Sequence, residues 1–176
     1  MITLVIGGTR SGKSRIAEQM AGRLVGEGAS LTLIVPTVAN DPDLPDLDFL
    51  ARIQVHQARR PASWTTVECG ADLIGALRAV DEPALIDSLG SWVAATADFA
   101  VAIDELVAVL RARSQPTVVV SEEVGLSVHA PTEVGRRFVD VLGTVSTAVA
   151  DVADDVWLVV AGRVVRLDSL REVPRE

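Results

Sequence analysis

The residues with the clearest chemical potential form an unbroken pattern, G-x-x-x-x-G-K-S, near the start of the chain. They are Gly7, Gly8, Thr9, Arg10, Ser11, Gly12, Lys13 and Ser14. Glycines let a loop turn its backbone N–H groups towards a phosphate without Cβ clashes. In this pattern the lysine reaches the terminal phosphates and the hydroxyl after it binds Mg²⁺. The pattern therefore predicts a phosphate loop for a nucleotide, with Lys13 as a catalytic residue and Ser14 as a metal ligand.

The segments on either side of this loop are those that a phosphate loop needs. Residues 2–6 form a short apolar run, and residues 14–25 carry Ile16, Met20 and Leu24 at helical spacing. A helix in that place points the positive end of its dipole at the same anion. The alternative is a plain glycine-rich turn between a strand and a helix, which the full motif with both flanks disfavours.

Acidic residues follow two further apolar runs that are typical of buried strands. Asp87 ends the run at residues 84–87, and Glu122 and Glu123 follow the run at residues 116–121. Ligands bind at the carboxyl ends of parallel strands, so Asp87 is predicted to act at a Mg²⁺ site, directly or through a neighbour. Its alternative role is to cap the next helix. Glu122 and Glu123 are either a metal or base pair or a solvated turn.

His56 is one of only two histidines in the chain. On a helix predicted for residues 47–60, Arg52 and Arg60 lie one turn away on either side, and Arg59 is nearby. These cations would favour a neutral, nucleophilic imidazole and would also hold phosphate oxygens. A packed or solvated histidine is the alternative, and spacing alone does not decide between them. The second histidine, His129, is interpreted as a loop residue.

Apolar runs along the whole chain alternate between strand and helix patterns. Strands are predicted at residues 2–6, 31–35, 64–67, 84–87, 116–121, 156–160 and 164–167, and helices at 14–25, 47–60, 71–80, 89–95, 98–113 and 131–153. This order favours a parallel sheet with right-handed crossovers. We expect an α/β fold of the P-loop NTPase (RecA-like) class, with a mostly parallel sheet flanked by helices and a C-terminal β-hairpin. Residues 1–176 are expected to form a single nucleotide-binding transferase domain.

The composition limits the classes of function. The chain has 176 residues, a net charge of −8 and 49% hydrophobic residues. These values fit one globular domain and argue against general binding to nucleic acid or anionic membranes. No run reaches the roughly 18 apolar residues of a membrane span, and no basic leader precedes the first strand. With Cys69 as the single cysteine, we expect a cytoplasmic protein.

Taken together, these segments resemble the bifunctional adenosylcobinamide kinase / adenosylcobinamide-phosphate guanylyltransferase family of cobalamin biosynthesis. The resemblance runs from about residue 2 to residue 167. The phosphate loop resembles the family's G-G-x-R-S-G-K-S, and the segment from Arg52 to Glu68 resembles R-I-x-x-H-x-x-x-R-P-x-x-W-x-T-x-E. Residues 85–89, 120–125 and 136–143 resemble its V-D-C-L, V-S-N-E-V-G and R-x-F-R-D-x-x-G segments.

The resemblance implies an enzyme with two reactions. A nucleoside triphosphate, ATP or GTP, first phosphorylates the aminopropanol hydroxyl of adenosylcobinamide. GTP then transfers GMP to a histidine, here His56 as catalytic nucleophile, and the corrinoid phosphate displaces it to give adenosylcobinamide-GDP. The implied nucleotide contacts, besides the phosphate loop, are Val35, Pro36, Thr37, Gln57, Ala58, Arg59, Arg60, Glu68 and Asp87.

Cofactors and partners follow from the same resemblance. Mg²⁺ is expected at Ser14 and Asp87, with GTP and ATP as substrates and a corrinoid as the small-molecule partner. We expect no nucleic-acid partner and no membrane span. We also expect a homo-oligomer, whose number of subunits the sequence does not give.

The chain departs from the family pattern at a few positions. Glu122 replaces Asn, Ser88 replaces Cys, Gly90-Ser91 replaces Thr-Leu, and Ser146-Thr147 stands where Asn-Gln is usual. A carboxylate in place of an amide cannot donate hydrogen bonds and adds charge. These changes lie outside the phosphate loop and the His56 segment. They therefore concern corrinoid recognition, or the kinase reaction, more than nucleotide binding.

Two other functions stay open on the sequence. One is a P-loop kinase of small molecules that has no covalent step. The other is a nucleotide-binding regulatory protein with an inactive site, because fold and motif alone do not determine function.

Overall fold

The computed structural model describes residues 1–26, 28–36, 61–126, 128 and 130–169. Their strands are β1 (Ile2–Gly7), β2 (Leu31–Val35), β3 (Trp64–Glu68), β4 (Ala84–Ile86), β5 (Thr117–Glu122), β6 (Asp155–Val160) and β7 (Arg163–Arg166). Their helices are α1 (Lys13–Val25), α2 (Leu73–Arg78), α3 (Leu89–Ala95), α4 (Ile103–Ala112) and α5 (Glu133–Ala150). Every predicted strand is confirmed to within one or two residues. The helix predicted at residues 47–60 lies outside the described residues.

The described strands form one sheet in the order β3-β2-β4-β5-β1-β6-β7. All neighbouring pairs are parallel except β6 and β7, which form an antiparallel hairpin. The expected α/β class, the mostly parallel sheet and the C-terminal hairpin are thus confirmed. Among the described residues, none of the helices has the length and apolar character required to cross a bilayer.

Alternating side chains of the central strands pack against helices on both faces of the sheet. On one face Val5 and Leu33 contact α1 through Ile16, Ala17 and Ala21. On the other face, Leu4, Ile34, Ile86 and Val119 pack against buried residues of the helices, namely Leu73, Leu77, Leu89, Trp92, Leu106, Leu110, Leu142, Val145 and Val149. Burial on both faces explains why these strands are apolar at nearly every position. The strands that end at the phosphate loop are therefore packed against helices on both faces.

The helix predicted at residues 98–113 is wrong in its first part. Residues Ala97–Phe99 form a short 3₁₀ turn, and α4 begins only at Ile103. Asp98 and Phe99 have φ angles of 52° and 55°, which an α-helix does not allow. The Phe99 ring packs edge-to-face on Phe138 at a centroid distance of 5.6 Å. The positive φ angles thus occur together with a tertiary contact of Phe99. The spacing of apolar residues in the sequence does not indicate such a contact.

The long helix was predicted to start with Pro131 in its first turn and to reach Ala153. It begins instead at Glu133, with Thr132 as its N-cap, and ends at Ala150. The Thr132 hydroxyl accepts a hydrogen bond from the Gly135 N–H at 3.1 Å. A threonine side chain at this position satisfies a free helical N–H, and proline, which has no such group, precedes the cap.

Arg113 joins α4 to the loop that precedes β4. Its guanidinium donates to the backbone carbonyls of Leu77 at 3.0 Å, Val80 at 2.5 Å and Glu82 at 2.6 Å, and to the Thr117 hydroxyl at 2.9 Å. Burial lowers the pKa of this guanidinium from its ordinary value, and Asp81 opposes that change. Since an arginine remains charged in proteins, these carbonyls are held by a cation.

Candidate nucleotide-binding and catalytic site

The phosphate loop lies between β1 and α1, as predicted. Gly7 is the last residue of β1, and a Cβ atom there would lie 2.5 Å from Ser11 Oγ and 2.8 Å from the Val159 carbonyl oxygen. Gly12 has a φ of 94°, a backbone conformation that residues other than glycine rarely adopt. Steric contact thus explains why the motif needs glycine at position 7, and backbone conformation explains why it needs glycine at position 12.

The turn of the β6–β7 hairpin supports this loop from outside. The Gly162 N–H donates a hydrogen bond to the Ser11 carbonyl at 2.8 Å, and Gly162 itself has a φ of 72°. Ser11 is buried, whereas Thr9 and Arg10 are exposed at the tip of the loop. Sequence reasoning missed this support, because the contact joins residues from opposite ends of the chain. A glycine in the hairpin turn was the only local signal.

Ser14 and Asp87 meet at the edge of the sheet. The Ser14 hydroxyl donates to Asp87 Oδ1 at 3.2 Å, although the two residues are 73 positions apart. The alternative role of Asp87, as cap of the next helix, is wrong. Ser88 fills that role, because its hydroxyl accepts a hydrogen bond from the Ser91 N–H at 3.4 Å. The Asp87 carboxylate therefore contacts the phosphate-loop end of α1 through Ser14.

A hydroxyl and a carboxylate that converge in this way suit a hard divalent cation such as Mg²⁺, which prefers oxygen ligands and retains several waters. No group of three or more His, Cys, Asp or Glu side chains gathers to hold a metal within the described ranges.

Glu122 and Glu123, adjacent in sequence, have separate roles. Glu122 Oε1 lies 3.7 Å from Lys13 Nζ, and its Oε2 accepts a hydrogen bond from the Gly90 N–H at 3.0 Å. Glu123 Oε1 instead accepts from the N–H groups of Gly125 and Leu126, at 2.7 and 3.0 Å. Glu122 therefore belongs to the site and Glu123 stabilises the turn after β5.

Strand register explains why Glu122 reaches the lysine. Glu122 is paired with Gly7 in the β1–β5 ladder, so it stands beside the first glycine of the phosphate loop. The Lys13 and Glu122 side chains are 12% and 27% exposed, so the ion pair is largely shielded from solvent. Gly90 was not singled out as a site residue. Many glycines occur in the first turn of a helix that follows a buried strand. This pattern alone therefore does not indicate that Gly90 belongs to the site.

Several departures from the resembled pattern meet around this carboxylate. A Cβ atom at Gly90 would collide with Glu122 Oε2, so any side chain at 90 would displace the end of the Glu122 side chain from its present position. Ser146 on α5 is hydrogen-bonded to Ser121, the residue before Glu122, with 2.7 Å between the two Oγ atoms. The substituted positions are hence physically connected.

The remaining predicted nucleotide contacts divide into two groups. Val35 and Glu68 are register partners at the carboxyl ends of β2 and β3, and Pro36 follows directly; Pro36 is buried and Glu68 exposed. They share the edge with the phosphate loop but are separated from β1 by β4 and β5. His56, together with Thr37, Gln57, Ala58, Arg59 and Arg60, lies outside the described residues, as does His129.

Cys69 comes directly after β3 at this edge. Its N–H donates to the Val35 carbonyl at 3.2 Å. Burial, and to a lesser degree the neighbouring Asp72 carboxylate, raises the pKa of the Cys69 thiol to about 11. The thiol is therefore protonated at neutral pH and is a poor nucleophile.

The chain is similar to several known proteins. A family model described as cobinamide kinase / cobinamide phosphate guanyltransferase matches residues 3–167. The bifunctional adenosylcobalamin biosynthesis protein CobU of Salmonella typhimurium is 34% identical over 184 residues, with 92% of this chain and 97% of that protein covered. The bifunctional adenosylcobalamin biosynthesis protein CobP of Pseudomonas aeruginosa is 34% identical over 171 residues, covering 92% of this chain and 94% of that protein. Among solved structures, the flagellar accessory protein FlaH of Methanocaldococcus jannaschii aligns with a TM-score of 0.47 and 16% identity, covering 93% of this chain and 74% of that one.

Proposed function

Because the chain belongs to the cobinamide kinase / cobinamide phosphate guanyltransferase family, we propose that it phosphorylates adenosylcobinamide and then converts the product to adenosylcobinamide-GDP. The observation that supports this most directly is the convergence of Lys13, Ser14 and Asp87 beyond the carboxyl ends of β1 and β4, the strands on either side of β5. The Ser14 hydroxyl is 3.2 Å from Asp87 Oδ1, and Lys13 follows Gly12 in the phosphate loop. This arrangement can receive a triphosphate and position it for attack.

The chain's own residues would act mainly by position and charge. Backbone N–H groups of residues 7–14 and the N-terminus of α1 hold the phosphates, and Lys13 moves from Glu122 to the transferring phosphate. Ser14 and Asp87 would hold Mg²⁺, which supplies positive charge against the developing negative charge when bound. Shielding of the Lys13 side chain from solvent strengthens its interaction with that charge.

The second reaction assigns a covalent role to His56. An imidazole nitrogen attacks the α-phosphorus of GTP, the bond to the β-phosphate oxygen breaks, and pyrophosphate leaves. A phosphate oxygen of the corrinoid product then attacks the same phosphorus and releases the histidine. Division of one transfer into two steps is the usual advantage of a covalent intermediate. The family membership and the central segment from Arg52 to Glu68 support this part of the proposal.

The test uses GTP labelled on the α-phosphate. The full-length protein is incubated with labelled GTP and Mg²⁺, denatured at neutral to alkaline pH, and examined for a covalent, acid-labile label. We expect label on the wild type, none on His56→Ala, and release of the label when adenosylcobinamide phosphate is added. His129→Ala is the matched control, because it removes the only other histidine.

The outcomes separate the candidate functions. Label retained by His56→Ala rejects the assignment of the nucleophile. Transfer of the γ-phosphate to adenosylcobinamide with no α-label on any variant indicates a kinase without a covalent step. Nucleotide binding with neither transfer indicates a regulatory protein with an inactive site.

The organisation of residues 1–176 as a single domain, the homo-oligomer and the cytoplasmic location stay predictions.

A further inference from the structure

A cleft of about 610 Å³ extends along the α5 side of the sheet, from Glu122 at the end of β5 to the residues that precede β6. Its walls are the carboxyl end of β5, one face of α5 and the β6–β7 hairpin. The residues that matter for its chemistry are Ile6, Glu122, Val139, Ser146, Thr147 and Asp151. The volume is within the usual range for small-molecule sites.

Glu122 connects this cleft to the phosphate loop. The residue lines the cleft, and its Oε1 lies 3.7 Å from Lys13 Nζ. The Gly90 N–H holds Oε2 at 3.0 Å and so fixes the direction of the carboxylate. When Lys13 engages the terminal phosphate of a nucleotide, Glu122 stands between that phosphate and the cleft. A molecule bound in the cleft would therefore approach the terminal phosphate next to the Glu122 carboxylate.

The lining favours a neutral ligand over a second nucleotide. Carboxylates of the lining include Glu122, Asp151 and Asp168, whereas Arg166, its one cation among the described residues, is paired with Asp155 at 2.9 Å. Negative charge disfavours a phosphate-bearing ligand. Carboxylates and hydroxyls instead accept hydrogen bonds from alcohol and amide groups.

We propose that this cleft binds the hydroxyl-bearing arm of the acceptor, a neutral alcohol that also carries amides, and that Glu122 is the catalytic base of the phosphoryl transfer. The inference rests on the proposed function and assigns a place and a proton acceptor to its first reaction. In the transfer, the hydroxyl oxygen forms a bond to the γ-phosphorus as its proton passes to Glu122. The bond from the γ-phosphorus to the bridging oxygen breaks, and its electron pair leaves with the nucleoside diphosphate.

A base at this position makes a specific demand on the two reactions. The first needs a proton acceptor, because its nucleophile is an alcohol. The second does not, because its nucleophile is a phosphate that is already ionised. Loss of Glu122 should therefore impair the first reaction much more than the second, whereas a merely structural role would impair both equally.

The first experiment compares both reactions in wild type and Glu122→Gln, since glutamine keeps an oxygen for the Gly90 N–H. Phosphorylation of adenosylcobinamide is followed with γ-labelled nucleotide, and GMP transfer to prepared adenosylcobinamide phosphate with α-labelled GTP. We expect kcat of phosphorylation to fall about 10²- to 10⁴-fold, as for loss of a general base, and to fall at least about tenfold more than kcat of GMP transfer, which reports any effect of the lost Lys13 ion pair on nucleotide binding. The control is Glu105→Gln, which removes a carboxylate from a surface ion pair with Arg78.

The second experiment blocks the cleft without touching the base. Thr147 lines the cleft, and its hydroxyl donates only to the Gly143 carbonyl of its own helix among the hydrogen bonds described. Thr147→Trp should raise KM for adenosylcobinamide at least about tenfold and leave nucleotide affinity unchanged, because it fills the cleft with a large ring. Thr144→Trp is the matched control, since Thr144 makes the same hydrogen bond on α5, to Asp140, away from the cleft lining.

Each result has a distinct meaning. Phosphorylation undiminished in Glu122→Gln overturns the base, and an unchanged acceptor KM in Thr147→Trp overturns the cleft. Equal loss of both reactions in Glu122→Gln also overturns the base, because it indicates damage to nucleotide binding. Absence of phosphorylation by the wild type overturns the proposed function itself, and the inference with it.

Discussion

The Glu122 carboxylate occupies the space that a side chain at Gly90 would need. The Gly90 N–H donates to Glu122 Oε2 at 3.0 Å, and a Cβ atom built on Gly90 would overlap that same oxygen. Residue 90 lies on α3 and residue 122 ends β5, so the contact joins two neighbouring strand ends of the edge that carries the phosphate loop.

This contact predicts that substitutions at the two positions are coupled. Gly90→Thr alone should destabilise the fold by about 0.5–1.5 kcal/mol, because the Glu122 carboxylate must turn away and give up its hydrogen bond from the residue 90 N–H. Glu122→Asn shortens the side chain, so the double variant should recover most of that loss. Urea unfolding of the four proteins gives the coupling free energy. Strictly additive costs would show that the steric conflict is absent.

The first glycine of the phosphate loop should tolerate alanine far less well than the second. A Cβ atom at Gly7 would meet Ser11 Oγ and the Val159 carbonyl, whereas one at Gly8 has no atom within 4 Å. We expect Gly7→Ala to lower the free energy of unfolding by at least about 1 kcal/mol, and Gly8→Ala to change it by less than about 0.5 kcal/mol. Urea unfolding without nucleotide measures both. Equal destabilisation by the two variants would contradict the packing of Gly7.

Asp87 should set the requirement for Mg²⁺. Asp87→Asn keeps an oxygen near the Ser14 hydroxyl but removes the negative charge that attracts a hard cation. The concentration of Mg²⁺ for half-maximal phosphorylation should rise about tenfold or more. Asp104→Asn, an exposed substitution on α4, is the control. A titration that superimposes on that of wild type would remove Asp87 from the metal site.

Arg113 is predicted to be essential for stability although it is remote from the phosphate loop. Arg113→Met leaves the Leu77, Val80 and Glu82 carbonyls without the donor described here, which should cost about 2–5 kcal/mol. Arg111→Met, an exposed change on the same helix, should cost less than about 0.5 kcal/mol. Chemical denaturation compares them directly. Similar midpoints for the two variants would contradict the role given to the guanidinium.

The Cys69 thiol gives a pH-dependent prediction. Its pKa is raised from 9.0 to about 11, first by burial and then by Asp72. The folded state thus holds the proton more tightly than the unfolded state. The resulting stability is present below pH 9 and is lost as the pH rises towards 11.

Alkylation provides the measurement. At pH 9 iodoacetamide should modify native Cys69 roughly tenfold or more slowly than the unfolded chain, because only the thiolate reacts. Asp72→Asn should accelerate the native reaction modestly while it keeps the helix cap, since asparagine caps as well as aspartate. Equal rates for native and unfolded protein would refute the raised pKa.

Local pattern was a sufficient guide wherever local interactions decide the structure. The run at residues 31–35 predicted β2 to the residue, because a strand buried on both faces needs apolar side chains throughout. The position of the phosphate loop could also be predicted from the sequence, because its glycines are required by steric contacts and backbone angles within a short segment. The position of Asp87 directly after β4 was likewise predicted from its apolar run, and its role at a Mg²⁺ site stays a prediction.

Long-range contacts account for what the sequence did not reveal. The break at Asp98 and Phe99 accompanies packing on Phe138, almost forty positions later. Glu122 and Glu123 have different roles because the folded sheet brings Gly90 and Lys13 next to Glu122 alone. The sequence gives no sign of these two contacts. The role of His56 stays a prediction, because the residue lies outside the described part of the chain.

The position of β1 has a consequence for synthesis on the ribosome. This strand pairs with β5 on one side and β6 on the other, and the Ile2 N–H donates to Asp154 Oδ2 across 152 positions. At a translation rate of about 5 to 20 residues per second, those positions take roughly 8 to 30 s to make. β1 and the phosphate loop that follows it therefore lack one neighbouring strand until β6 has left the exit tunnel. Premature termination anywhere before β6 would leave β1 with one unpaired side.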